Sequence, residues 1–236
     1  MLLAVPFPSK RLFLRARGGP VLITCWSAKG GVGTTVVAAS LALSLADAAT
    51  GGVLLADLAG DLPAVLGVPE PEGPGLAGWL GAGPSVPADA LARLERRVGP
   101  GVGLLARGAG GLATDRAEVL AGLLAADPRP VVADCGRLEP DGAAAVVAGG
   151  ATRSLLVTRP CFLALRRAAQ APIVPSGVVL ISESGRALGR RDVEDVVGAP
   201  VVAELSADPA VARAVDAGIL TARLPRGYAR ALREAA

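Results

Sequence analysis

The sequence predicts an α/β fold in which a mostly parallel sheet is covered by helices on both faces. Short apolar runs of β type alternate along the chain with segments of helical character, which is the order of repeated β-α-β units. Several of these runs are hydrophobic at consecutive positions, as strands buried on both faces are. Because a chain of 236 residues suits a single α/β core, we expect one domain over residues 21–236, preceded by a short basic extension over residues 1–20.

The predicted elements follow one another in β-α order. The predicted strands are runs rich in Val, Leu, Ile and Ala, at residues 21–26, 52–56, 102–105, 130–133, 153–158, 177–181 and 201–204. The predicted helices fill the intervals between and after them, at residues 34–48, 88–97, 115–126, 141–148, 161–169, 191–197, 208–217 and 226–235. The Gly- and Pro-rich segment 69–87 predicts a long connection with one helical turn at 76–80.

Three aspartates and one glycine predict helix boundaries. Asp115, Asp141 and Asp208 stand at the starts of helical segments, where a short acceptor side chain caps free backbone amides. Gly218 follows a helical segment and predicts its end, because glycine readily takes the left-handed conformation of a helix C-terminus.

The composition excludes several classes of function. Histidine is absent, which excludes imidazole as a base, a nucleophile or a metal ligand. Aromatic residues make up only 3% of the chain, too few for the stacking platforms of single-stranded nucleic-acid binders. The formal net charge of +3 is too balanced for a segment that coats DNA. We therefore expect no nucleic-acid partner.

The cysteines and the apolar stretches predict a cytoplasmic protein. Cys25, Cys135 and Cys161 are odd in number and far apart in apolar runs, which is typical of reduced, buried thiols. The longest uncharged stretch, residues 30–46, begins with a glycine-rich turn and contains Ser and Thr, which favours a buried helix over a membrane span. We expect neither a signal peptide nor a transmembrane segment.

A glycine-rich loop links the first predicted strand to the first predicted helix. Gly30, Gly31 and Gly33 lie in this loop, where backbone amides and the helix dipole together form a cradle for phosphate. The chain has 24 Lys and Arg, yet its only lysines are Lys10 and Lys29. A compact ammonium beside the loop suits a contact to phosphate. The alternative is a turn whose glycines serve close packing and whose lysine is merely solvated.

The run from Lys29 to Thr35, KGGVGTT, resembles the deviant Walker motif K-G-G-x-G-K-[ST] of the MinD/ParA family. Threonine at the second lysine position is similar to the branch that contains the CpaE and TadZ pilus-assembly and localisation proteins. Asp57, which ends the run VLLAD, and Asp134, in PVVADCG, resemble the later family motifs. Residues 153–160 and 207–218 resemble its later strand and C-terminal helix. The resemblance implies a P-loop NTPase fold.

The resemblance also implies ATP and Mg²⁺ as cofactors. In the family, the loop amides hold the phosphates, the last Thr of the motif ligates Mg²⁺, and two aspartates hold waters on that ion. Here those ligands would be Thr35, Asp57 and Asp134. The loop residues carried over are Gly30, Gly31, Val32, Gly33, Thr34 and Thr35. Lys29 would reach across a homodimer that sandwiches the nucleotide and contact the partner's phosphates.

Two departures from the family pattern predict slow or absent hydrolysis. The second aspartate of the family's D-x-D motif, which positions the attacking water, is Ala59 here, and a methyl group cannot orient water. Asp61 is the candidate substitute. Thr34 removes the positive charge in cis that would follow the transferred phosphoryl group. Binding is less affected, because losing one charge-assisted contact costs only about 1.5–3 kcal/mol.

Two further segments concern the choice of nucleotide base and contact with a membrane. Residues 180–183 lack the Asn that reads adenine in many relatives, which leaves base selectivity open. The segment 224–236 is similar in position to the membrane-targeting helix of MinD, but its apolar residues are mostly small. We expect it to pack on the domain, with at most peripheral membrane contact.

Three functions are consistent with the sequence. The first is an ATP-binding dimer that acts as a localisation or assembly factor in a Tad-type pilus or secretion system, recruited by its partners to a pole or to the inner membrane. The second is a working ATPase of division-site placement or chromosome partitioning, with Asp61 as the substitute. The third is a scaffold that keeps the fold but binds no nucleotide.

Overall fold

Eight strands and ten helices are present in residues 20–49, 51–83, 86–87 and 89–236, the part of the chain that the computed structural model describes. The strands are β1 Leu22–Ser27, β2 Val53–Asp57, β3 Arg96–Gly99, β4 Val102–Leu105, β5 Val131–Arg137, β6 Arg153–Thr158, β7 Gly177–Ser182 and β8 Val201–Ser206. The helices are α1 Thr34–Ala46, α2 Leu62–Leu66, α3 Gly75–Gly81, α4 Asp89–Ala92, α5 Ala117–Ala126, α6 Ala143–Gly149, α7 Phe162–Ala168, α8 Arg190–Val197, α9 Pro209–Asp216 and α10 Arg226–Ala235. The predicted extension 1–20 lies outside the described residues except for Pro20, and the domain boundary at residue 21 stays a prediction.

All eight strands belong to one sheet with the order β3-β4-β2-β5-β1-β6-β7-β8. Every neighbouring pair is parallel except β3 and β4. The seven predicted strands are all present, so the prediction of a mostly parallel sheet is confirmed. The sheet places β1 in its interior, between β5 and β6.

Helices cover both faces of the sheet, which explains why the strands are apolar at consecutive positions. In β1, Leu22 and Trp26 pack into one apolar cluster, together with residues of α3, α5 and α6. The intervening Ile23 and Cys25 pack into a second cluster, with residues of α1, α2 and α9. In β1, side chains on either face of the sheet therefore pack into an apolar layer.

The predicted helix at 88–97 is wrong beyond Ala92. Residues Arg96–Gly99 form the edge strand β3, which runs antiparallel to β4. A tight turn that includes Gly101, with φ of +69°, reverses the chain between the two strands. Such Gly-containing turns join hairpin strands. An arginine-rich edge strand has no apolar alternation that a sequence pattern could detect.

One of the three predicted N-caps is confirmed. Asp208 accepts a hydrogen bond from the Ala210 amide at 2.7 Å and so caps α9. Asp115 and Asp141 do not cap α5 and α6. A backbone turn precedes each helix instead, closed by a hydrogen bond to the carbonyl of Thr114 before α5 and to that of Glu139 before α6. The predicted helix end at Gly218 is confirmed: α9 ends two residues earlier and Gly218 has φ of +65°.

The C-terminal helix packs on the body of the protein, as predicted. Leu232 and Ala235 of α10 are fully buried in the cluster that also contains α1 residues. The expected helical turn in the segment 69–87 is α3. Of the three thiols, Cys25 and Cys135 are buried and Cys161 is half-buried.

No helix in the described ranges has the length and apolar character needed to cross a membrane.

Candidate functional site

The carboxyl ends of β1, β2 and β5 lie side by side, because β5 pairs with both of the other strands. The loops that follow these strands therefore meet at one edge of the sheet, where ligands of open α/β sheets bind. They surround a cavity of about 860 Å³. Its walls include Gly30, Gly31, Gly33, Thr34, Thr35 and Asp61.

The glycines of the loop after β1 face open space. A Cβ atom at Gly30, Gly31 or Gly33 would have no heavy atom within 4 Å. Glycines that serve close packing in this protein are different: a Cβ at Gly67 would lie 2.0 Å from the Gly218 carbonyl oxygen. The alternative in which the loop glycines serve close packing is therefore not supported. Their lack of side chains instead opens the cavity to the loop amides.

The start of α1 has the features of an anion-binding helix terminus. Gly33 is its N-cap residue, with φ of 99°, and no side chain of the described residues caps the helix. The first turn also carries no acidic residue, so no charge within that turn offsets the partial positive charge of its amides. Thr34 is buried in this turn, while Val32 points into the apolar core. The loop thus anchors through Val32 and presents its backbone to the cavity.

Asp134 is a buried carboxylate with an unused acceptor. It is fully buried within β5, beside the last residue of β2, and its Oδ2 has no hydrogen-bond partner in the described part of the chain. Burial raises the pKa of Asp134 to about 7, opposed by the Thr35 hydroxyl and the Gly136 amide. A buried oxygen without a partner is costly unless a ligand satisfies it. Together with the hydroxyl of Thr35, it supplies the hard oxygen donors that Mg²⁺ prefers.

Asp57 lies directly opposite Asp134 on the neighbouring strand. Its Oδ1 accepts from the Gly60 amide at 2.6 Å and its Oδ2 from the Leu62 amide at 3.2 Å. The carboxylate therefore holds the turn that leads from β2 into α2. Burial raises the pKa of Asp57 to about 6. A carboxylate has further lone pairs beyond these two bonds, so holding the turn and holding a water on a metal are compatible.

The other predicted residues divide between the cavity and its mouth. Asp61 is exposed and lines the cavity, and Ala59 lines it at the position where the family motif has aspartate. Lys29 does not belong to the cavity wall. Its Nζ donates to the carbonyl of Gly30 at 3.3 Å. The structure thus brings together the loop, Thr35 and Asp61, and leaves Lys29 outside the cavity wall.

Sequence reasoning missed Arg107, which follows β4 and lines the same cavity. Its Nη1 donates to the carbonyl oxygen of Ala59 at 2.9 Å and to that of Leu58 at 3.3 Å. The available signal was an arginine at the carboxyl end of an apolar strand, followed by the glycine-rich loop 108–111.

A second cavity of about 530 Å³ adjoins the first. The two share wall residues of the loop and α1, among them Gly33 and Val36. Its remaining wall is largely apolar, with Ile181, Pro209 and Tyr228. A flat, mostly apolar ligand group linked to a phosphate chain would find its place there.

The two raised carboxyl pKa values predict how stability depends on pH. Between about pH 4 and pH 7, the folded chain holds protons on Asp57 and Asp134 that the unfolded chain has released. The free energy of unfolding of the metal-free protein therefore falls as the pH rises through this window. Between pH 5 and pH 8 the two groups account for about 4 kcal/mol, because about one pH unit for Asp57 and two for Asp134 each count about 1.4 kcal/mol. Urea unfolding with a chelator at pH 5 and pH 8 measures it. In Asp134→Asn the change should be clearly smaller than in the wild type, and an equal change in both proteins would contradict the assignment.

The sequence matches no protein-family model and no curated protein sequence. Solved structures match its fold. A ParA family ATPase from Chlorobium tepidum TLS matches with a TM-score of 0.75 at 21% identity, over 91% of this chain and 97% of that one. The cell division ATPase MinD from Pyrococcus furiosus matches with a TM-score of 0.73 at 23% identity, over 92% of this chain and 98% of that one. The septum site-determining protein MinD from Pyrococcus horikoshii OT3, complexed with Mg-ADP, matches with a TM-score of 0.71 at 22% identity, over 91% and 94%. The predicted fold class is confirmed: the chain has the fold of ParA- and MinD-type P-loop ATPases.

Proposed function

We propose that this protein binds ATP with Mg²⁺ and acts as a nucleotide-dependent dimer that localises or assembles other proteins. One observation carries the nucleotide site: the loop glycines border open space in front of an uncapped helix start instead of packing against the protein. The Mg-ADP complex of the Pyrococcus horikoshii protein, which has the same fold, supports a nucleotide with Mg²⁺ as the ligand. In this proposal Thr35 ligates the ion, Asp134 and Asp57 hold its waters, and the ion neutralises phosphate charge.

The adjoining apolar cavity would take the base. Ile181 and Tyr228 offer apolar surface to a ring, and the chain has no Asn in residues 180–183 to read adenine. We therefore expect weak discrimination between ATP and GTP. Titration of the metal-loaded protein with each nucleotide tests this part of the proposal.

Hydrolysis is expected to be far slower than about 1 per second, the usual scale of enzyme turnover. Ala59 cannot orient the attacking water, and Thr34 brings no charge to the transferred group. Phosphate release with Mg²⁺ at saturating ATP measures the rate. A rate near 1 per second would contradict the expectation.

The second candidate function is an active ATPase of division-site placement or partitioning. The observation that favours it is the position of Asp61, which is exposed and lines the cavity beside the loop. In that case, Asp61→Ala would abolish a measurable rate while leaving ATP affinity within about threefold. If the wild type shows no turnover, this candidate is dismissed.

The dimer would form across the mouth of the cavity. Lys29 follows β1, and α7 follows β6, the parallel neighbour of β1, so both lie at the carboxyl edge of the sheet. The first two residues of α7, Phe162 and Leu163, are 73% and 44% exposed. Neighbouring apolar side chains with such exposure at the carboxyl edge of the sheet are typical of a surface that binds another protein. A second copy facing this edge would cover them and bring its own Lys29 to the nucleotide.

The assembly role in a Tad-type pilus or secretion system rests on threonine at position 34, the feature shared with the CpaE and TadZ branch. Partners of that apparatus would recruit the protein to a pole or to the inner membrane. The genes beside its own provide the simplest test: pilus-assembly genes would support this role, and division or partitioning genes would support the second candidate.

A further inference from the structure

Arg107 is a cation in the wall of the loop cavity without a carboxylate partner. Its guanidinium is half-buried and donates only to backbone carbonyls, those of Leu58, Ala59 and Gly110, at 3.3, 2.9 and 3.3 Å. Among the described residues it forms no ion pair, unlike Arg129, which pairs with Glu95 and Asp127. In the described residues, the positive charge at this part of the cavity wall is therefore not paired with any carboxylate.

The other charged groups near the loop do not fill this role. Arg137 also lines the cavity, but it is exposed and pairs with Glu139. Lys29 lies outside the cavity wall and donates to the carbonyl of Gly30. Within the part of the chain that the structure describes, Arg107 is thus the one cation of the cavity wall that no carboxylate neutralises.

The donor arrangement leaves room for an anion. A guanidinium has five N–H donors. Nη1 of Arg107 uses its two on Leu58 and Ala59, and Nη2 uses one on Gly110. The Nε proton and the second Nη2 proton remain, which is the number of donors that a bidentate contact to phosphate takes.

We propose that Arg107 is a ligand of the terminal phosphate of the bound nucleotide and supplies in cis the positive charge that Thr34 lacks. The proposal rests on the nucleotide-binding function proposed above. Three backbone carbonyls hold the guanidinium in place before any ligand arrives, so little side-chain entropy is lost on binding. Two of these bonds hold the guanidinium against the turn 58–60, which lies between Asp57 and Asp61. The position of the guanidinium relative to these two aspartates is therefore fixed.

The test compares ATP with ADP, because only ATP has the terminal phosphate. Calorimetric titration of the full chain with Mg-ATP and with Mg-ADP is expected to show an ATP affinity about ten- to hundredfold lower in Arg107→Gln. The ADP affinity should change by less than about threefold. Arg107→Lys, which keeps the charge, should recover part of the ATP affinity. Arg223→Gln removes an exposed arginine outside both cavities and should change neither affinity.

Each contrary result has its own meaning. Equal losses for ATP and ADP in Arg107→Gln, with an unchanged unfolding midpoint, would show that Arg107 only holds the turn, and would overturn the proposal. Unchanged ATP affinity in that variant would overturn it as well, while leaving the proposed function intact. A wild type that binds neither nucleotide would overturn the proposed function, and the role of Arg107 with it.

Discussion

Gly33→Val is expected to abolish ATP binding while leaving a folded protein. Gly33 has φ of 99° at the start of α1, a region that β-branched residues rarely adopt. Holding valine there costs about 1–3 kcal/mol, and relaxing the strain moves the loop amides out of register with the phosphates. Losing two hydrogen bonds from loop amides to the charged phosphates costs about 3–6 kcal/mol, which lowers the affinity for ATP by at least about a hundredfold. In addition, the valine side chain would project into the space that the phosphates need.

Equilibrium titration with Mg-ATP, together with circular dichroism, measures this effect. Gly122→Val is the matched control. Gly122 lies within α5, has no positive φ, and a Cβ there would meet nothing within 4 Å. The control should bind ATP like the wild type. If folded Gly33→Val binds ATP with unchanged affinity, the loop is not a phosphate cradle, and the scaffold without nucleotide becomes the better explanation of the fold.

The central strands could be predicted from the sequence because their environment leaves a simple pattern. β1 and β5 are covered on both faces, so they are apolar at consecutive positions and stand out locally. The edge strand β3 has no such pattern, since its two arginines are exposed and a turn, not burial, sets its pairing. The predicted caps at Asp115 and Asp141 were wrong because a backbone turn precedes each of those helices, and residue preferences for capping positions do not reveal such turns.

The candidate site also contains one part that the sequence predicts and one part that it does not. The loop from Gly30 to Thr35 is continuous in sequence, so its glycines and hydroxyls could be recognised together. Arg107 reaches the same cavity from 72 positions after Thr35. It does so because β4 pairs with β2, and β2 with β5. That strand order depends on packing across the whole sheet, which no local pattern encodes.

Lys29→Ala is expected to abolish ATP-dependent dimerisation and to change ATP binding by dilute monomer only slightly. Lys29 is outside the wall of its own subunit's cavity, so removing its charge leaves the loop amides, the helix dipole and the proposed metal ligands of that subunit in place. In a dimer that closes over the mouth, the same ammonium would contact the partner's phosphates. Losing one charge-assisted contact at each of two sites amounts to about 3–6 kcal/mol, which raises the dimer dissociation constant by at least about a hundredfold.

Sedimentation velocity with and without Mg-ATP measures dimerisation, and titrations at low and high protein concentration measure binding. In the wild type, ATP affinity should rise with protein concentration, because association and ligand binding are linked. Phe162→Ser should weaken dimerisation as Lys29→Ala does, since both residues lie at the same edge of the sheet. Val174→Ser is the control: Val174 is 81% exposed but precedes β7, at the opposite edge. If the wild type stays monomeric when saturated with ATP, or Lys29→Ala dimerises equally well, the lysine does not act across a dimer and its charge serves its own subunit or the solvent.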